Sequence, residues 1–198
     1  MALTLKTAIK GAGSSTAIII PSQPKALSVT YNGLLAEIST FQVKLAALGV
    51  KTGAPVSIAL VNSYEFIVSF MATAWQRGVA APLNPAYKQD EFEFYIDDVK
   101  SALVLVPRGA VAAGSPAVKA ARKYNAAIAE CYWDSAKGEV ALDVKDPGQL
   151  GGHVPVQEPQ PDDVALVLHT RYEFAPHFRI HGRTLTANPA GRRRGPKL

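Results

Sequence analysis

The sequence has one cysteine, Cys131, in 198 residues. A single thiol excludes an internal disulfide, and no histidine or cysteine pair has the spacing of a zinc site, so a reducing, intracellular compartment is expected. Cys131 lies in the apolar segment Ala129–Trp133, which has the composition of a buried strand. We expect it to pack as a small hydrophobic residue rather than to serve as a catalytic thiol.

Long apolar runs are also missing. No stretch approaches the ~20 apolar residues of a membrane helix, and the first residues lack the apolar core of a signal peptide. We therefore expect no membrane span. Pro196-Lys197-Leu198 shares two positions with the Ser-Lys-Leu peroxisomal signal. Cytoplasm and peroxisome both remain open as locations.

Positive charge is in excess only at one end. The formal net charge is +5, but residues 171–198 contain seven Lys/Arg and one acid, so they carry +6 and the other residues −1. A near-neutral body argues against a nucleic-acid-binding surface. Arg192–Arg194 is too short a run to predict a nucleic-acid or localisation patch.

What the sequence does contain is a repeated change of hydrophobic period. Apolar residues at spacings of three and four predict helices, and short β-branched runs bounded by Gly, Pro or Asn predict strands. Gly49 and Gly78 are expected to end the first two helices. The predicted helices are 32–48, 64–77, 89–99 and 115–125, and the predicted strands are 17–21, 27–31, 56–61, 79–83, 102–106, 126–133 and 164–168.

The order of these elements predicts the fold class. Three rounds of strand then helix, with a plausible fourth, indicate an α/β fold with a doubly wound, mostly parallel sheet flanked by helices. Residues 136–161 are expected to form a hairpin or a surface loop. The chain divides into a folded part, 1–170, and a divergent basic tail, 171–198, which is expected to be irregular and disordered.

Several segments together resemble the N-terminal subdomain of the adenylate-forming (AMP-dependent synthetase and ligase) superfamily, especially fungal acyl-CoA and oxalate-CoA ligase-like members. They are Tyr31–Leu34, Leu45–Val50, Gly53–Ser63, Gly78–Tyr87 and the acidic helix 90–95. Most of these residues are expected to shape turns and core rather than to touch substrate. The resemblance implies that these residues correspond to only part of the family's domain.

A further segment, Pro161–Thr170, resembles the strand that leads into the family's phosphate loop, which would continue as Ser-Gly-Thr-Thr-Gly-x-Pro-Lys. Thr170 matches the first position of that loop and is the only cofactor-binding residue that the resemblance carries over. Arg171–Phe174 then replaces the small residues whose backbone approaches phosphates. Gly195-Pro196-Lys197 resembles the end of the loop, but no predicted strand comes directly before it.

The resemblance implies a two-step ligase that converts a small carboxylic acid, ATP and CoA to acyl-CoA, AMP and diphosphate, with ATP, Mg²⁺ and CoA as cofactors. The family's later motifs do not occur in this sequence. We therefore expect a truncated family member that is inactive as this chain, with no catalytic or metal-binding residue. The change after Thr170 suggests a truncated gene, a retained intron or a reading-frame error, which sequencing the transcript across codon 170 would test.

The alternative is a noncatalytic α/β module that binds a second copy or a ligase paralogue through an exposed sheet edge. Three histidines, His169, His177 and His181, fall near the end of the predicted fold. No helix or carboxylate set supports them as metal ligands. The acid substrate and the oligomeric state are not readable from these residues.

Overall fold

A computed structural model describes residues 3–21, 26–169 and 178–181. The helices are α1 Leu5–Ala8, α2 Tyr31–Leu48, α3 Tyr64–Trp75, α4 Gln89–Val99 and α5 Pro116–Lys123. The strands are β1 Thr16–Ile20, β2 Leu27–Thr30, β3 Pro55–Ile58, β4 Val79–Pro82, β5 Leu103–Val106, β6 Ala127–Asp134, β7 Glu139–Asp146, β8 Val164–Leu168 and β9 Phe178–His181.

Over the described residues, the main sheet has seven strands in the order β7-β6-β5-β3-β4-β8-β9. The five central strands, from β6 to β8, are parallel, and β7 and β9 pair antiparallel at the two edges. β1 and β2 form a separate antiparallel pair. This arrangement confirms the predicted α/β fold with a mostly parallel sheet.

The sheet has a hydrophobic core on each face. Leu103 and Leu105 of β5 belong to the core under α2 and α3, whereas Val104 and Val106 belong to the core under α4 and α5. All four side chains are fully buried. Because a central parallel strand is covered on both faces, its sequence is a continuous apolar run rather than an alternating one.

Local signals set the helix ends. The Thr30 side chain accepts a hydrogen bond from the N–H of Gly33 and begins α2, and the Ser63 side chain accepts one from Phe66 and begins α3. Gly49 ends α2 with a left-handed φ of 102°. The predicted helix stop at Gly49 is therefore confirmed.

The segment expected to be a hairpin or a loop contains both. β6 and β7 form a hairpin, and residues 147–161, here called the strap, return without regular structure to β8. Two buried amides hold the strap against α2 and α3. Gln42 Nε2 donates to the carbonyl of Gln157 (2.6 Å) and Gln76 Nε2 to that of Pro155 (3.0 Å).

Two elements were not predicted from the sequence. One is the four-residue helix α1, and the other is β9, which lies within the stretch expected to be irregular and disordered. β9 pairs with β8, so the last parallel strand is not at the sheet edge. A short strand is stabilised by backbone pairing with its neighbour, which local sequence does not reveal. The rest of 171–198 lies outside the described residues, and within the described ranges no helix could cross a membrane.

Candidate functional site

The carboxyl ends of β3, β4 and β8 lie at one edge of the sheet because these strands are parallel. β3 is followed by α3 on one face and β4 by α4 on the other, so the connections diverge at this edge. In open α/β sheets such a divergence is the usual place for a ligand. This carboxyl edge is therefore the candidate site.

The turns at this edge use their polar side chains to shape the backbone. Asn84, which follows β4, accepts a hydrogen bond on its side-chain oxygen from the N–H of Ala86 (3.0 Å). Ser63, which follows β3, caps α3. The structural roles expected for residues at these strand ends are thus observed for Asn84.

The end of β8 is held by α4. His169 Nε2 lies 3.0 Å from Asp98 Oδ2, and its ring centroid lies 4.6 Å from that of Tyr95. The His169 side chain is only 5% exposed. His169, the residue after β8, therefore contacts protein groups of α4.

Thr170, the one cofactor-binding residue expected from the sequence, lies outside the described residues, as do Arg171–Phe174 and His177. His181 is the last residue of β9. Among the residues that the structure describes, no group of three or more His, Cys, Asp or Glu side chains is arranged to hold a metal.

The described part of the carboxyl edge does not fit the phosphates of a nucleotide by itself. Helix N-termini attract anions, but the first turn of α4 contains Asp90 and Glu91 and that of α3 contains Glu65. These acidic groups repel phosphate, so a phosphate cradle at this edge would depend on the segment after β8.

At the amino end of β8, Arg77 and Asp163 form a bidentate ion pair. Arg77 Nε lies 3.1 and 3.0 Å from the two carboxylate oxygens and its Nη2 lies 2.9 Å from Oδ1. Hydrogen bonding to Asp163 raises the pKa of Arg77. The sequence placed Asp162 and Asp163 in the segment that resembles a family motif. It did not reveal that Arg77 is the partner of Asp163.

Two cavities lie at the opposite, amino edge of the sheet. One, of about 660 Å³, is lined by residues that include Gly49, Lys100 and Tyr124. The other, of about 600 Å³, includes Pro55, Val79 and further residues at the starts of β3, β4 and β8. The C-terminal ends of α2, α4 and α5 face the first cavity, and their negative partial charges disfavour phosphate there.

Cys131 is not part of the candidate site. Its side chain is 2% exposed in the core under α2 and α3. Burial raises the pKa of its thiol well above the ordinary value. The expectation that Cys131 packs as a small hydrophobic residue is confirmed.

The family model "AMP-binding enzyme" matches residues 5–170. The chain therefore belongs to the AMP-binding enzyme family, as its motifs indicated. The match ends at Thr170, the residue directly after His169.

Among curated proteins, the oxalate–CoA ligase of Saccharomyces cerevisiae is 34% identical over 133 residues, which cover 58% of this chain and 24% of that protein. The oxalate–CoA ligase of Arabidopsis thaliana is 35% identical over 122 residues, covering 62% and 23%. The chain thus spans about a quarter of the length of these relatives.

Among solved structures, apo MatB from Rhodopseudomonas palustris superposes with a TM-score of 0.70 at 21% identity, covering 92% of this chain and 35% of that one. The structure of ATP-bound MatB superposes with a TM-score of 0.66 at 20% identity, covering 91% and 35%. At this identity the similarity establishes the fold of this chain.

Proposed function

We propose that this chain is the N-terminal subdomain of an AMP-forming acyl-CoA ligase and that the 198 residues alone do not catalyse the ligase reaction. The reaction of the whole enzyme would join a small carboxylic acid to CoA through an acyl-adenylate, with consumption of ATP. The observation that supports this proposal is that β8 ends at the carboxyl edge with Leu168, two residues before the family match ends in the sequence.

The proposed inactivity rests on chemistry at that position. Thr170 would be the first residue of the phosphate loop, but Arg171–Phe174 has no glycine to bring backbone N–H groups close to phosphate oxygens. The acidic side chains in the first turns of α3 and α4 do not replace them. Binding of ATP, Mg²⁺ or CoA by these residues alone is therefore expected to be weak or absent.

The test is thermal unfolding of the purified chain with and without ATP–Mg²⁺, together with ATP–pyrophosphate exchange over a panel of small acids that includes oxalate. A ligand that binds the native state raises the midpoint of unfolding. We expect no shift and no exchange, with a cooperative transition. A shift that saturates with ATP, or exchange with any acid, would overturn the proposed inactivity.

A loop graft provides the matched variant. Residues 171–175 would be replaced by Ser-Gly-Thr-Thr-Gly, which restores the small residues of the family loop after Thr170. If the altered loop is what weakens phosphate binding, pyrophosphate should raise the midpoint of the graft more than that of the original chain. Equal midpoints in the two proteins would show that the residues after Thr170 are not the cause.

An intracellular location is part of this proposal, because ATP and CoA are intracellular substrates; cytoplasm and peroxisome are the two options. A fluorescent protein fused to the N-terminus would leave Pro196–Leu198 free. Diffuse signal supports the cytoplasm and coincidence with a peroxisomal marker supports the peroxisome. Signal in the secretory pathway would contradict both.

A second candidate function is self-association through β1. Within the described ranges, β1 pairs only with β2, Ile19 is 64% exposed and Thr16–Ile20 contains no charge. The edge strand β7, by contrast, contains four charged residues in eight. An uncharged edge can pair antiparallel with a second copy about a two-fold axis without bringing like charges together.

Sedimentation velocity over a range of concentrations tests this second candidate. Self-association through β1 predicts a dimer that Ile19→Lys abolishes and that Val144→Lys, at an exposed position on β7, leaves intact. A monomer at all concentrations, or equal effects of the two substitutions, would remove β1 as the interface. Dimers formed only with a ligase paralogue would indicate a different partner.

A further inference from the structure

β8 has little backbone pairing with the parallel strand beside it. The β4–β8 ladder joins one residue pair, Ala80 and Leu166. The β3–β4 ladder, in contrast, runs over four consecutive pairs, from Pro55–Val79 to Ile58–Pro82. A register that depends on one ladder position is weakly specified by the backbone.

Side-chain pairs lie immediately before and immediately after β8. Asp163 precedes the strand and binds Arg77, which lies two residues before β4. His169 follows the strand and lies against Asp98 of α4. In each pair the residue next to β8 is the more buried partner: Asp163 is 15% exposed against 27% for Arg77, and His169 is 5% exposed against 33% for Asp98.

The hydrophobic pattern of β8 allows more than one register. A shift by two residues preserves the side of the sheet to which each residue points, and Val164–Leu168 is apolar throughout. The same shift would move Asp163 and His169 by about 6–7 Å along the strand direction. Neither could then reach its present partner, so the two polar pairs distinguish registers that the apolar residues do not.

We propose that Asp163 and His169 are positioning residues that set the register of β8 on the sheet through Arg77 and Asp98. By fixing both ends of the strand, they determine where the last residue of β8, Leu168, lies at the carboxyl edge. The consequence for nucleotide binding rests on the proposed function, whereas the register itself does not. Loss of ATP binding in a full ligase and loss of register in this chain are therefore separate outcomes.

The experiment is amide hydrogen exchange by NMR on the full chain, with Asp163→Ala and Asp98→Ala as test variants. Each should speed exchange of the β8 amides by about tenfold or more relative to those of β5, because an end of β8 is released while the core stays folded. The adjacent carboxylates give matched controls. Asp162→Ala and Asp97→Ala should leave the β8 rates within about threefold of the original.

The register can be read from a backbone NOE between Leu166 and Ala80, which the pairing of these two residues predicts. This NOE should be lost or split in the double variant Asp98→Ala/Asp163→Ala and should persist in the double control Asp97→Ala/Asp162→Ala. An unchanged NOE in the double test variant would overturn the proposal. Equal acceleration of the β5 and β8 amides would also overturn it, since that result indicates a change in global stability alone.

A charge exchange covers the case in which Asp163→Ala does not fold. Arg77→Asp combined with Asp163→Arg restores an ion pair of opposite orientation, and Asp tolerates the left-handed φ of 61° at position 77. A folded protein with the Ala80–Leu166 NOE would support the positioning role. Failure of the exchanged pair to restore the fold would reject it.

Discussion

The side-chain nitrogen of Gln42 on α2 donates hydrogen bonds to the carbonyl oxygens of Trp75 (3.0 Å) and Gln157 (2.6 Å). Gln42 is 3% exposed, and Gln157 lies 115 residues away in the strap. One amide thus joins two helices and the segment that leads to β8. The strap is positioned by these buried polar contacts because it has no ladder of its own.

Gln42→Leu should lower the free energy of unfolding by about 1–3 kcal/mol, because the buried carbonyl of Trp75 and the half-buried carbonyl of Gln157 lose their donor. Chemical denaturation monitored by circular dichroism measures this change. Gln149→Leu is the matched control, since the exposed Gln149 side chain donates one hydrogen bond, to Tyr124, at the surface. If the two variants lose equal stability, the strap does not depend on Gln42.

The raised pKa of Tyr64 should make the protein less stable at alkaline pH. Burial, and secondly the negative charge of Glu37, raise the pKa of Tyr64 from 10.0 to about 12. The folded state keeps the phenol proton between these values while the unfolded state loses it, so stability should fall as the pH rises from about 10 to about 12.

Denaturant unfolding at several pH values, with absorbance at 295 nm to follow tyrosinate, checks the Tyr64 prediction. Tyr64→Phe is the control because it keeps the ring that contacts Trp133 edge-on at a centroid distance of 5.6 Å. The variant should lose less stability than the original chain over this pH range. If the free energy of unfolding falls equally with pH in the two proteins, the phenol of Tyr64 is not the cause of the alkaline destabilisation.

The Cys131 thiol should resist alkylation in the native protein. It is buried, and burial raises its pKa, so both access and thiolate formation are suppressed. We expect labelling by iodoacetamide at pH 8 to be at least about 100-fold slower than in denaturant. Rapid labelling of the native chain, followed by mass spectrometry, would show that the core under α2 and α3 opens readily.

Gly49→Ala should be more damaging than Gly53→Ala. Both glycines have positive φ, 102° and 76°, so each substitution introduces backbone strain of about 1 kcal/mol. A Cβ at position 49 would also lie 2.5 Å from the carbonyl oxygen of Gly152 in the strap, whereas a Cβ at position 53 meets nothing within 4 Å. Thermal unfolding should therefore give a larger loss for Gly49→Ala, and equal losses would argue against this contact.

Sequence periodicity predicted α3, α4 and β5 to within about two residues, because each buries an apolar face whose spacing is visible locally. The resemblance to a family motif, and not periodicity, led to the expectation that a phosphate loop begins at Thr170, just after β8. Neither predicted the partners of Asp163 or His169. Arg77 lies 86 residues from Asp163 and Asp98 lies 71 from His169, so only the completed sheet brings these side chains together.

The sequence by itself determined the class of fold, the helix stop at Gly49 and membership of the AMP-binding enzyme family, because periodicity, turn residues and motifs are local properties of the chain. Tertiary structure alone decided the strand order, the pairing of β9 with β8, the buried contacts of Gln42 and the side-chain pairs at the ends of β8. These features join residues that are distant in sequence. They are selected by packing and by the need to satisfy buried polar groups, which arise only when the layers of the fold meet.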